Sequence, residues 1–363
     1  MNAVSPIVPA CASDEHRKTV GVVTLPGSYN YGNRLQCYAV CAIYKKLSCY
    51  PTVLTRKTSD AKKLAKRLLG REWRSPEELM NPERASRFLA FNKLIDQREV
   101  SPPHIALRNQ YDLFSVGSDQ TWNPKYMSRD APWYFLRFAR KRQRIALSPS
   151  IGLDNLEKAE SKMIRKGVEG FAGLSVREER GARLIKECSG QDAKVICDPT
   201  LVLEADEWRS IAKDDLTPEK PYVFAYLLGE ARSVPAEVLN YVTEEGKNPV
   251  ILLSDNDRDG EVPAGPAEFI SLIDNAKHVI TDSFHAAVFA AIMQTPLIIV
   301  QREGGANIFS RLETLSHMLG IEHKIYSSPC FDLLRENDYE GVPEAISRER
   351  KNFIDYLETC LNA

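Results

Sequence analysis

"HVITDSFHAAVFAAIMQTPLIIV" spans residues 278–300 and changes character twice. Residues 278–281 suit a short apolar strand, residues 284–293 suit a buried helix, and residues 296–300 suit a buried strand. A strand, a helix and a strand in such close succession are typical of a parallel sheet whose faces are covered by helices. This stretch therefore predicts an α/β fold.

The same alternation extends over the rest of the chain. Further strands are predicted at residues 19–25, 51–55, 112–117, 143–148, 172–176, 193–197, 221–227 and 249–253. Further helices are predicted at residues 33–47, 84–96, 156–170, 178–188, 235–245, 308–319 and 343–361. A chain of 363 residues is long for one core, and the alternation breaks between about 200 and 220. We therefore expect two Rossmann-like domains whose parallel sheets face a cleft.

The predicted boundaries follow from that break. Residues 1–18 lack the cationic start and the apolar core of a signal peptide and are expected to form a flexible tail. Residues 19–205 are expected to form the N-terminal domain, and residues 206–342 the C-terminal domain. The last helix, within residues 343–363, is expected to return to the N-terminal domain.

The composition excludes several classes of protein. The chain is 43% hydrophobic and 27% charged, and its net charge of −1 argues against a nucleic-acid-binding protein. None of the eight cysteines forms a CxxC pair, and no histidine or cysteine follows Cys37 and Cys41 at zinc-finger spacing. We therefore expect buried thiols in a reducing cytoplasm and no metal. No apolar run of membrane length and no signal peptide is visible, which favours a cytoplasmic protein.

Residues 56–74, "RKTSDAKKLAKRLLGREWR", hold eight basic residues against two acidic ones. Basic side chains next to an anionic lipid surface each contribute about 1 kcal/mol of binding. One interpretation is therefore that this segment contacts the inner face of the membrane. The other is a solvated helix that covers the core.

Polar residues follow two of the predicted strands. "HVITDSFHAAVFAA", residues 278–291, and "DLFSVGSDQTWNP", residues 112–124, each end an apolar strand in a cluster that contains Ser and Asp. Ligands of open parallel sheets bind beyond the carboxyl ends of the strands. If the two sheets face each other, both clusters lie on one cleft between the domains.

His285 is the sharpest candidate in these clusters. Asp282 and Ser283 precede it and suit the N-cap of the next helix, so that His285 lies in the first helical turn. Unpaired backbone N–H groups there favour anions and lower the pKa of an imidazole. A structural histidine is the alternative, but the position at a strand end favours a functional one.

Arg177 follows the strand in "LSVREERGARLI", residues 174–185. Its planar guanidinium can bind a phosphate or a carboxylate through two hydrogen bonds. The alternative is an ion pair with Glu178 or Glu179, which also suit the first turn of the following helix.

Ser118, Asp119, Gln120 and Trp122 lie together in "SVGSDQTWNP", residues 115–124. Aspartate and glutamine can bind sugar hydroxyls, and an aromatic ring can stack on a sugar. The alternative is a turn capped by Asp119, with Trp122 in the core.

The stretch "GSYNYGNRLQCYAV", residues 27–40, has more polar groups than a turn from strand to helix needs. Glycines and asparagines suit such a turn. Its spacing is not G-x-G-x-x-G, and no Walker lysine follows, so a nucleotide-phosphate loop has little support. Tyr29, Tyr31, Arg34 and Gln36 are not explained by the needs of such a turn, and so many polar groups at one strand end indicate a ligand.

An ordered set of motifs between about 19 and 320 resembles the polysaccharide pyruvyl transferase family. The motifs are "GSYNYGNRLQCYAV", "SVGSDQTWNP", "RIALSPSIG", "LSVREERGARLI", "DPTLVL", "FISLIDNAKHVITDSFHAAVFA" and "NIFSRLETLSHMLGI". The resemblance implies a fold like that of GT-B glycosyltransferases, with the acceptor on the N-terminal domain and the donor on the C-terminal one. It also implies phosphoenolpyruvate as co-substrate, without a further cofactor. The acceptor would be a sugar of a cell-surface polysaccharide or of its lipid-linked precursor, and the product a pyruvate ketal and phosphate.

The resemblance also implies roles for single residues. Arg177 matches the donor-site arginine of the family, and His285 matches its active-site histidine. Ser283 stands where members often have an arginine, so that Lys277, Arg302 or Arg311 is expected to supply the missing donor contact. His285 would act as the acid and base, assisted at an acceptor hydroxyl by Asp119 or Asp282. The expected acceptor-binding residues on the N-terminal domain are Tyr29, Asn30, Asn33, Arg34, Gln36, Ser118, Asp119, Gln120, Trp122 and Ser150.

Two other interpretations of the sequence stay open. One is a GT-B glycosyltransferase that uses a nucleotide sugar, with Glu303 as the acidic residue at the ribose. The other is a non-catalytic glycan-binding protein, against which the presence of both His285 and Arg177 counts. Release of phosphate rather than of a nucleoside diphosphate separates the first from the pyruvyl transferase.

Overall fold

The computed structural model of the chain describes residues 17–25, 27, 29–57, 80–127, 130–229, 234–244, 246–255, 257–302, 309–326 and 339–363. Most of the basic segment 56–74, residues 1–16 of the predicted tail and Glu303 lie outside the described residues. Within the described residues, no helix is long and apolar enough to cross a membrane.

The first sheet has five parallel strands in the order β3-β2-β1-β4-β5. They are β1 (Thr19–Val23), β2 (Tyr50–Arg56), β3 (Gln97–Val100), β4 (Leu113–Val116) and β5 (Arg144–Ala146). A parallel pair follows, formed by β6 (Ser175–Val176) and β7 (Lys194–Val195). A single bridge between Ile145 and Gly173 connects this pair to the edge of the first sheet.

The second sheet has four parallel strands in the order β11-β10-β8-β9. They are β8 (Val223–Tyr226), β9 (Val250–Leu253), β10 (His278–Thr281) and β11 (Leu297–Ile299). The central pair, β8 and β10, is buried along most of its length, as strands covered by helices on both faces are.

Helices connect the strands of both sheets. In the first half they are α1 (Tyr31–Lys46), α2 (Pro82–Asn92), α3 (Pro124–Met127), α4 (Ala131–Tyr134), α5 (Lys158–Val168) and α6 (Glu179–Ser189). In the second half they are α7 (Ala205–Arg209), α8 (Ala236–Val242), α9 (Pro266–Asp274), α10 (Phe284–Met293), α11 (Ser310–Leu319) and α12 (Val342–Asn362). Single 3-10 turns lie at His104–Asn109, Lys141–Gln143, Pro199–Leu201 and Glu322–Lys324. The α/β class with two parallel sheets, expected from the sequence, is confirmed.

The amino ends of α1 and α10 meet at the boundary between the two sheets. Asn30 caps α1 by accepting a hydrogen bond from the backbone N–H of Asn33 at 2.8 Å. Gly32 lies in the first turn of α1, where a Cβ atom would be 2.1 Å from Nδ1 of His285. The fold therefore brings two helix N-termini, and with them two sets of unpaired N–H groups, to one place.

Helix α2 fixes the loop after β9 against the first domain. The Arg84 guanidinium, fully buried, donates to the backbone oxygens of Ser254 and Val262 and to the Glu261 carboxylate at 3.0 to 3.1 Å. A buried guanidinium with partners for its donors holds a loop much more firmly than an exposed ion pair does. The loop after β9 is therefore held in place where it approaches the cleft.

Helix α12, the last helix of the chain, packs on the first sheet. The Tyr356 hydroxyl donates to the Ala146 oxygen of β5 at 2.7 Å, and Nζ of Lys194 donates to the Asn352 oxygen at 3.5 Å. The chain thus passes from the first half to the second after β7 and returns to the first half with α12. The two halves are therefore connected by two chain segments.

Candidate active site in the cleft between the sheets

A cavity of about 530 Å³ opens between the carboxyl ends of the two sheets. Both halves of the chain contribute to its wall, which is rich in charged and hydroxyl groups. The residues that line it are Asn30, Gly32, Asp119, Gln120, Tyr126, Tyr226, Leu228, Asp255, Asp282, Ser283, Phe284, His285, Gln301, Arg302, Phe309, Arg311 and Leu312. The two polar clusters singled out in the sequence therefore share one hollow.

Asp198 joins residues of both clusters behind this wall. Its Oδ2 accepts hydrogen bonds from Nη1 of Arg177 and from Oγ of Ser118, each at 2.7 Å, and lies 3.8 Å from Nε2 of His285. Its Oδ1 accepts from the backbone N–H and the hydroxyl of Thr200. Asp198 is the first residue of the motif "DPTLVL". This motif contributes to the family resemblance, and no role of Asp198 was predicted from the sequence.

Asp198 is ionised despite its burial. Burial raises the pKa of a carboxyl, but the neighbouring guanidinium of Arg177 and the Thr200 donors outweigh it and lower the pKa of Asp198 to about 2. A fixed negative charge therefore lies beside the imidazole of His285.

His285 lines the cavity and is 8% exposed. Among the described residues, none is hydrogen-bonded to its buried Nε2 atom. Burial lowers the pKa of His285, and the charge of Asp198 opposes part of that shift. His285 is therefore neutral near pH 7 in the free protein, with one ring nitrogen available.

Arg177 lies one layer behind the wall. It is 2% exposed, and the Phe284 ring covers it, with the guanidinium carbon 4.2 Å from the ring centroid. Its Nη2 is 3.6 Å from Oδ1 of Asp119. Arg177 is not among the described residues that line the cavity, so the expected direct contact with a donor does not fit this position. Its contacts with Asp198 and Asp119 give it a positioning role instead.

Arg311 is the guanidinium that reaches the cavity from α11. Its Nη1 lies 3.9 Å from Oδ1 of Asp119, beyond hydrogen-bond distance. Burial, and next the repulsion by Arg177, lower the pKa of Arg311 to about 10. A cation that is partly desolvated and incompletely paired favours an incoming anion.

Arg302 and Asp282, which both line the cavity, form an ion pair. Nε of Arg302 is 3.0 Å from Oδ2 of Asp282, whose oxygens also accept from the backbone N–H groups of Leu228 and Gly229 at 2.7 and 2.8 Å. Asp282 therefore fixes the turn after β8 and orients Arg302. These three donors occupy the carboxylate, and Asp282 does not fit the expected role of a proton acceptor.

Asp119 follows β4, and Asn33 of α1 holds its carboxylate. Its Oδ2 accepts from Nδ2 of Asn33 at 2.5 Å, and it adopts a left-handed conformation with φ of 59°. With its amide oxygen turned toward Arg311, the adjacent Gln120 accepts from Nη2 of Arg311 at 3.2 Å. Ser118 is fully buried and holds Asp198, while Ser283 lines the cavity at the start of α10.

Several predicted site residues are structural. Trp122 is fully buried and donates from its indole N–H to the Tyr134 oxygen at 3.1 Å, so it belongs to the core and not to a sugar platform. Lys277 precedes β10 at the end remote from the cavity and pairs with Glu244, so it cannot replace the missing donor-site arginine. Both expectations were wrong.

Most of the remaining predicted acceptor residues do not line the cavity. Gln36 donates to the Thr24 hydroxyl and accepts from the N–H of Ser118, Ser150 donates to Glu178, and Arg34 reaches Gln97 and Leu25. Tyr29 packs against Phe88 with 5.8 Å between ring centroids. Of the residues predicted in the stretch 27–40, Asn30 lines the cavity, and Asn33 supports it through Asp119.

Sequence reasoning missed Tyr126, Tyr226 and Asp255, all of which line the cavity. Tyr126 is 59% exposed on α3, two residues after the motif that contains Trp122. Tyr226 is the last residue of β8, and Asp255 comes two residues after the end of β9. Both would have been found if every predicted strand end had been treated as a candidate ligand site.

A sequence model of the polysaccharide pyruvyl transferase family matches residues 30–303. This match covers about three quarters of the chain and includes both polar clusters of the cavity. The chain belongs to the polysaccharide pyruvyl transferase family. A search among curated proteins finds no match.

Solved structures similar to this family member include glycosyltransferases and an epimerase. The glycosyltransferase SnogD from Streptomyces nogalater is 12% identical, with 93% of this chain and 95% of that chain covered and a TM-score of 0.43. UDP-GlcNAc 2-epimerase from Neisseria meningitidis, bound to UDP-GlcNAc, is 10% identical over 94% and 99%, with a TM-score of 0.47. UGT89C1 from Arabidopsis thaliana, complexed with UDP-L-rhamnose, is 11% identical over 95% and 99%, with a TM-score of 0.49.

Proposed function

We propose that the protein transfers the pyruvyl group of phosphoenolpyruvate to two hydroxyls of one sugar. The sugar belongs to a cell-surface polysaccharide or to its lipid-linked precursor, and phosphate is released. The observation that carries the proposal is the pairing, in one cavity, of the Arg311 guanidinium with the neutral His285 imidazole. An anionic donor needs the first group, and protonation of its methylene carbon needs the second.

The electrostatics of the cavity favour a small anion. Arg311 and Arg302 line it, and the first turns of α1 and α10 contribute Gly32, Phe284 and His285 to its wall. Helix N-termini favour anions. Neither guanidinium is the arginine that many relatives have at the position of Ser283. Arg311 rather than Arg302 takes its place in the proposal, because Arg311 lies 3.9 Å from Asp119 and its charge acts on His285, whereas Arg302 is paired with Asp282.

His285 gains its proton when the donor binds. Burial favours the neutral imidazole in the free protein, but a phosphate and a carboxylate nearby favour the imidazolium. The proton then passes to the methylene carbon of phosphoenolpyruvate, which becomes a methyl group. Asp198 remains ionised and stabilises the imidazolium from 3.8 Å away. Arg177, in turn, orients Asp198.

The acceptor enters over the edge formed by Tyr126 and Gln120. Tyr126 is exposed at the cavity, and an aromatic face of this kind stacks on the C–H groups of a sugar ring. Asp119 and Asn30 offer hydrogen-bond partners for hydroxyls deeper in the wall. In the proposal, an acceptor bound by residues of the N-terminal half therefore lies opposite the donor-binding residues of the C-terminal half.

We also propose that the enzyme works in the cytoplasm at the inner face of the membrane. The support is the charge of the segment 56–74, with eight basic residues against two acidic ones, and the lipid-linked acceptors that the proposed reaction uses.

A comparison of donors distinguishes a pyruvyl transferase from a glycosyltransferase that uses a nucleotide sugar. The purified protein is incubated with methyl hexopyranosides and either phosphoenolpyruvate or UDP-sugars, and released phosphate and UDP are measured. The proposal predicts phosphate from phosphoenolpyruvate and no UDP. UDP release without use of phosphoenolpyruvate would support the glycosyltransferase, and binding of sugars without either product would support a glycan-binding protein.

A further inference from the structure

Asp255 is a cavity carboxylate that none of the steps above uses. It follows β9 and lines the cavity wall of the second domain. The loop that carries it is fixed by Arg84, which donates to the oxygen of the preceding residue, Ser254. A carboxylate on a firmly held loop beside reacting groups is well placed to transfer a proton.

The hydrogen-bond donors of Asp255 are neutral. Its Oδ1 accepts from the Tyr226 hydroxyl and its Oδ2 from Nδ2 of Asn30, each at 2.5 Å. Burial raises the pKa of Tyr226 well above its ordinary value, so the phenol stays protonated. Each carboxylate oxygen keeps a further lone pair for a sugar hydroxyl.

Asp255 differs in this respect from the other two cavity aspartates. Asp282 is paired with Arg302 and two backbone N–H groups, and Asp119 lies within 4 Å of Arg177 and Arg311. For Asp255, no ion pair is present within the described parts of the chain. A proton on Asp255 therefore costs no ion pair, whereas a proton on Asp119 or Asp282 disrupts one.

The surroundings of Asp255 favour titration near neutral pH. Partial burial, opposed by the hydrogen bond from Tyr226, raises the pKa of Asp255 to about 6, and the negative charge of Asp119 adds to the increase. The titratable and charged groups that face it are Tyr31 from α1, Asp119 after β4, Arg84 from α2, Tyr226 from β8 and Arg302 after β11. A group of this pKa can both accept and release a proton near pH 7.

The proposed reaction needs a second proton acceptor. Two C–O bonds form at the central carbon of phosphoenolpyruvate, and the bond from that carbon to the phosphate oxygen breaks. Both sugar hydroxyls lose their hydrogens: one hydrogen balances the new methyl group, and the other leaves with phosphate. His285 gives its proton to the methylene carbon and recovers one from the first hydroxyl, which leaves the second hydroxyl without a base.

We propose that Asp255 is the base for the second acceptor hydroxyl, and that Tyr226 and Asn30 hold it in place for that step. The assignment rests on the proposed pyruvyl transfer, and it adds a catalytic residue to that function. As the bond to the phosphate oxygen breaks and the second C–O bond forms, Asp255 accepts the proton of the second hydroxyl and passes it to the released phosphate. The class of acceptor follows: a sugar that presents two neighbouring free hydroxyls, one toward His285 and the other toward Asp255.

The test compares Asp255→Asn with Asp259→Asn, which makes the same change at an exposed position of the same loop. Phosphate release from phosphoenolpyruvate is measured with a methyl hexopyranoside from pH 5 to pH 9. We expect Asp255→Asn to lower kcat by about 10²- to 10⁴-fold with a nearly unchanged donor KM. Asp259→Asn is expected to match the wild type, and circular dichroism verifies that both variants fold.

The pH profile of Tyr226→Phe distinguishes a base from a purely structural residue, because a structural role of Asp255 would leave this profile unchanged. The Tyr226 hydrogen bond lowers the pKa of Asp255, so its loss raises that pKa, and activity should then begin to fall at a higher pH. An unchanged acid limb in Tyr226→Phe, or kcat of Asp255→Asn within threefold of the wild type, would contradict the assignment alone. A wild type that releases no phosphate would overturn the proposed function and the assignment with it.

Discussion

Gly32 leaves the space that the His285 imidazole occupies, since a methyl group on residue 32 would lie 2.1 Å from Nδ1. The two residues come from different halves of the chain, so this contact ties the geometry of the cleft to the position of the acid–base group. It also explains a glycine in the first turn of α1 without any special backbone conformation.

Gly32→Ala should therefore displace His285 and lower kcat by about 10²-fold, the smaller effect expected for a misplaced acid–base group. Alanine suits a helix better than glycine, so α1 itself should persist. Steady-state kinetics and the NMR signal of the His285 ring measure the two effects. Wild-type kinetics in Gly32→Ala would show that His285 does not need this position.

His285→Ala should reduce turnover by about 10²- to 10⁴-fold and leave the fold intact. His317→Ala is the matched control, because His317 lies on α11 at the surface, where it pairs with Glu322. Turnover of His285→Ala within threefold of the control would remove the imidazole from the mechanism.

Asp198→Asn should lower the free energy of unfolding at pH 7 by about 3 kcal/mol, because it leaves the buried Arg177 charge without its closest partner. The folded pKa of Asp198 is about 2, below its ordinary value of 3.8. The stabilisation by the ion pair is thus complete above about pH 4 and is lost as the pH falls toward 2. Denaturant unfolding at pH 7 and pH 3 should show a smaller difference between variant and wild type at pH 3. An equal difference at both values would contradict the ionised pair.

Arg311→Met should raise the KM for phosphoenolpyruvate by about 10- to 100-fold, since a hydrogen bond to a charged group contributes about 1.5–3 kcal/mol. Lys277→Met removes a positive charge at the remote end of β10 and should leave the KM unchanged. Equal effects of the two substitutions would point to the net charge of the domain rather than to a donor contact.

Trp122→Ala and Tyr126→Ala should separate the core from the acceptor edge. The first opens a cavity in the core and should cost about 3–5 kcal/mol of stability. The second removes an exposed ring and should raise the acceptor KM with little change in stability. An acceptor KM that is unchanged in Tyr126→Ala would exclude aromatic stacking by Tyr126.

Much of the fold could be predicted from the sequence because most strands are short apolar runs bounded by turn residues. Strand β3 was missed because its sequence, "QREV", is polar and lies at the edge of the sheet, where exposed charges are usual. Helix α9 was missed because its sequence, "PAEFISLID", follows a proline- and glycine-rich stretch that suggests a loop.

The site was predicted less completely, since a sequence gives the strand end but not the direction of each side chain. Trp122 and Gln120 are two residues apart, yet one lies in the core and the other in the cavity wall. Asp255 stands in "SDNDRDG", which resembles an ordinary acidic turn until the interdomain contact with Asn30 is visible. Arg177 matches the family motif, but only the three-dimensional contacts show that Phe284 covers it.

A crystal structure of the protein soaked with phosphoenolpyruvate shows whether Arg311 and His285 bind this donor. We expect the anion inside the cavity between the two sheets, with a phosphate or carboxylate oxygen within hydrogen-bond distance of Arg311 and the methylene carbon facing the His285 ring. Phosphoenolpyruvate bound away from both side chains, or a cavity that takes up a UDP-sugar and not phosphoenolpyruvate, would contradict it.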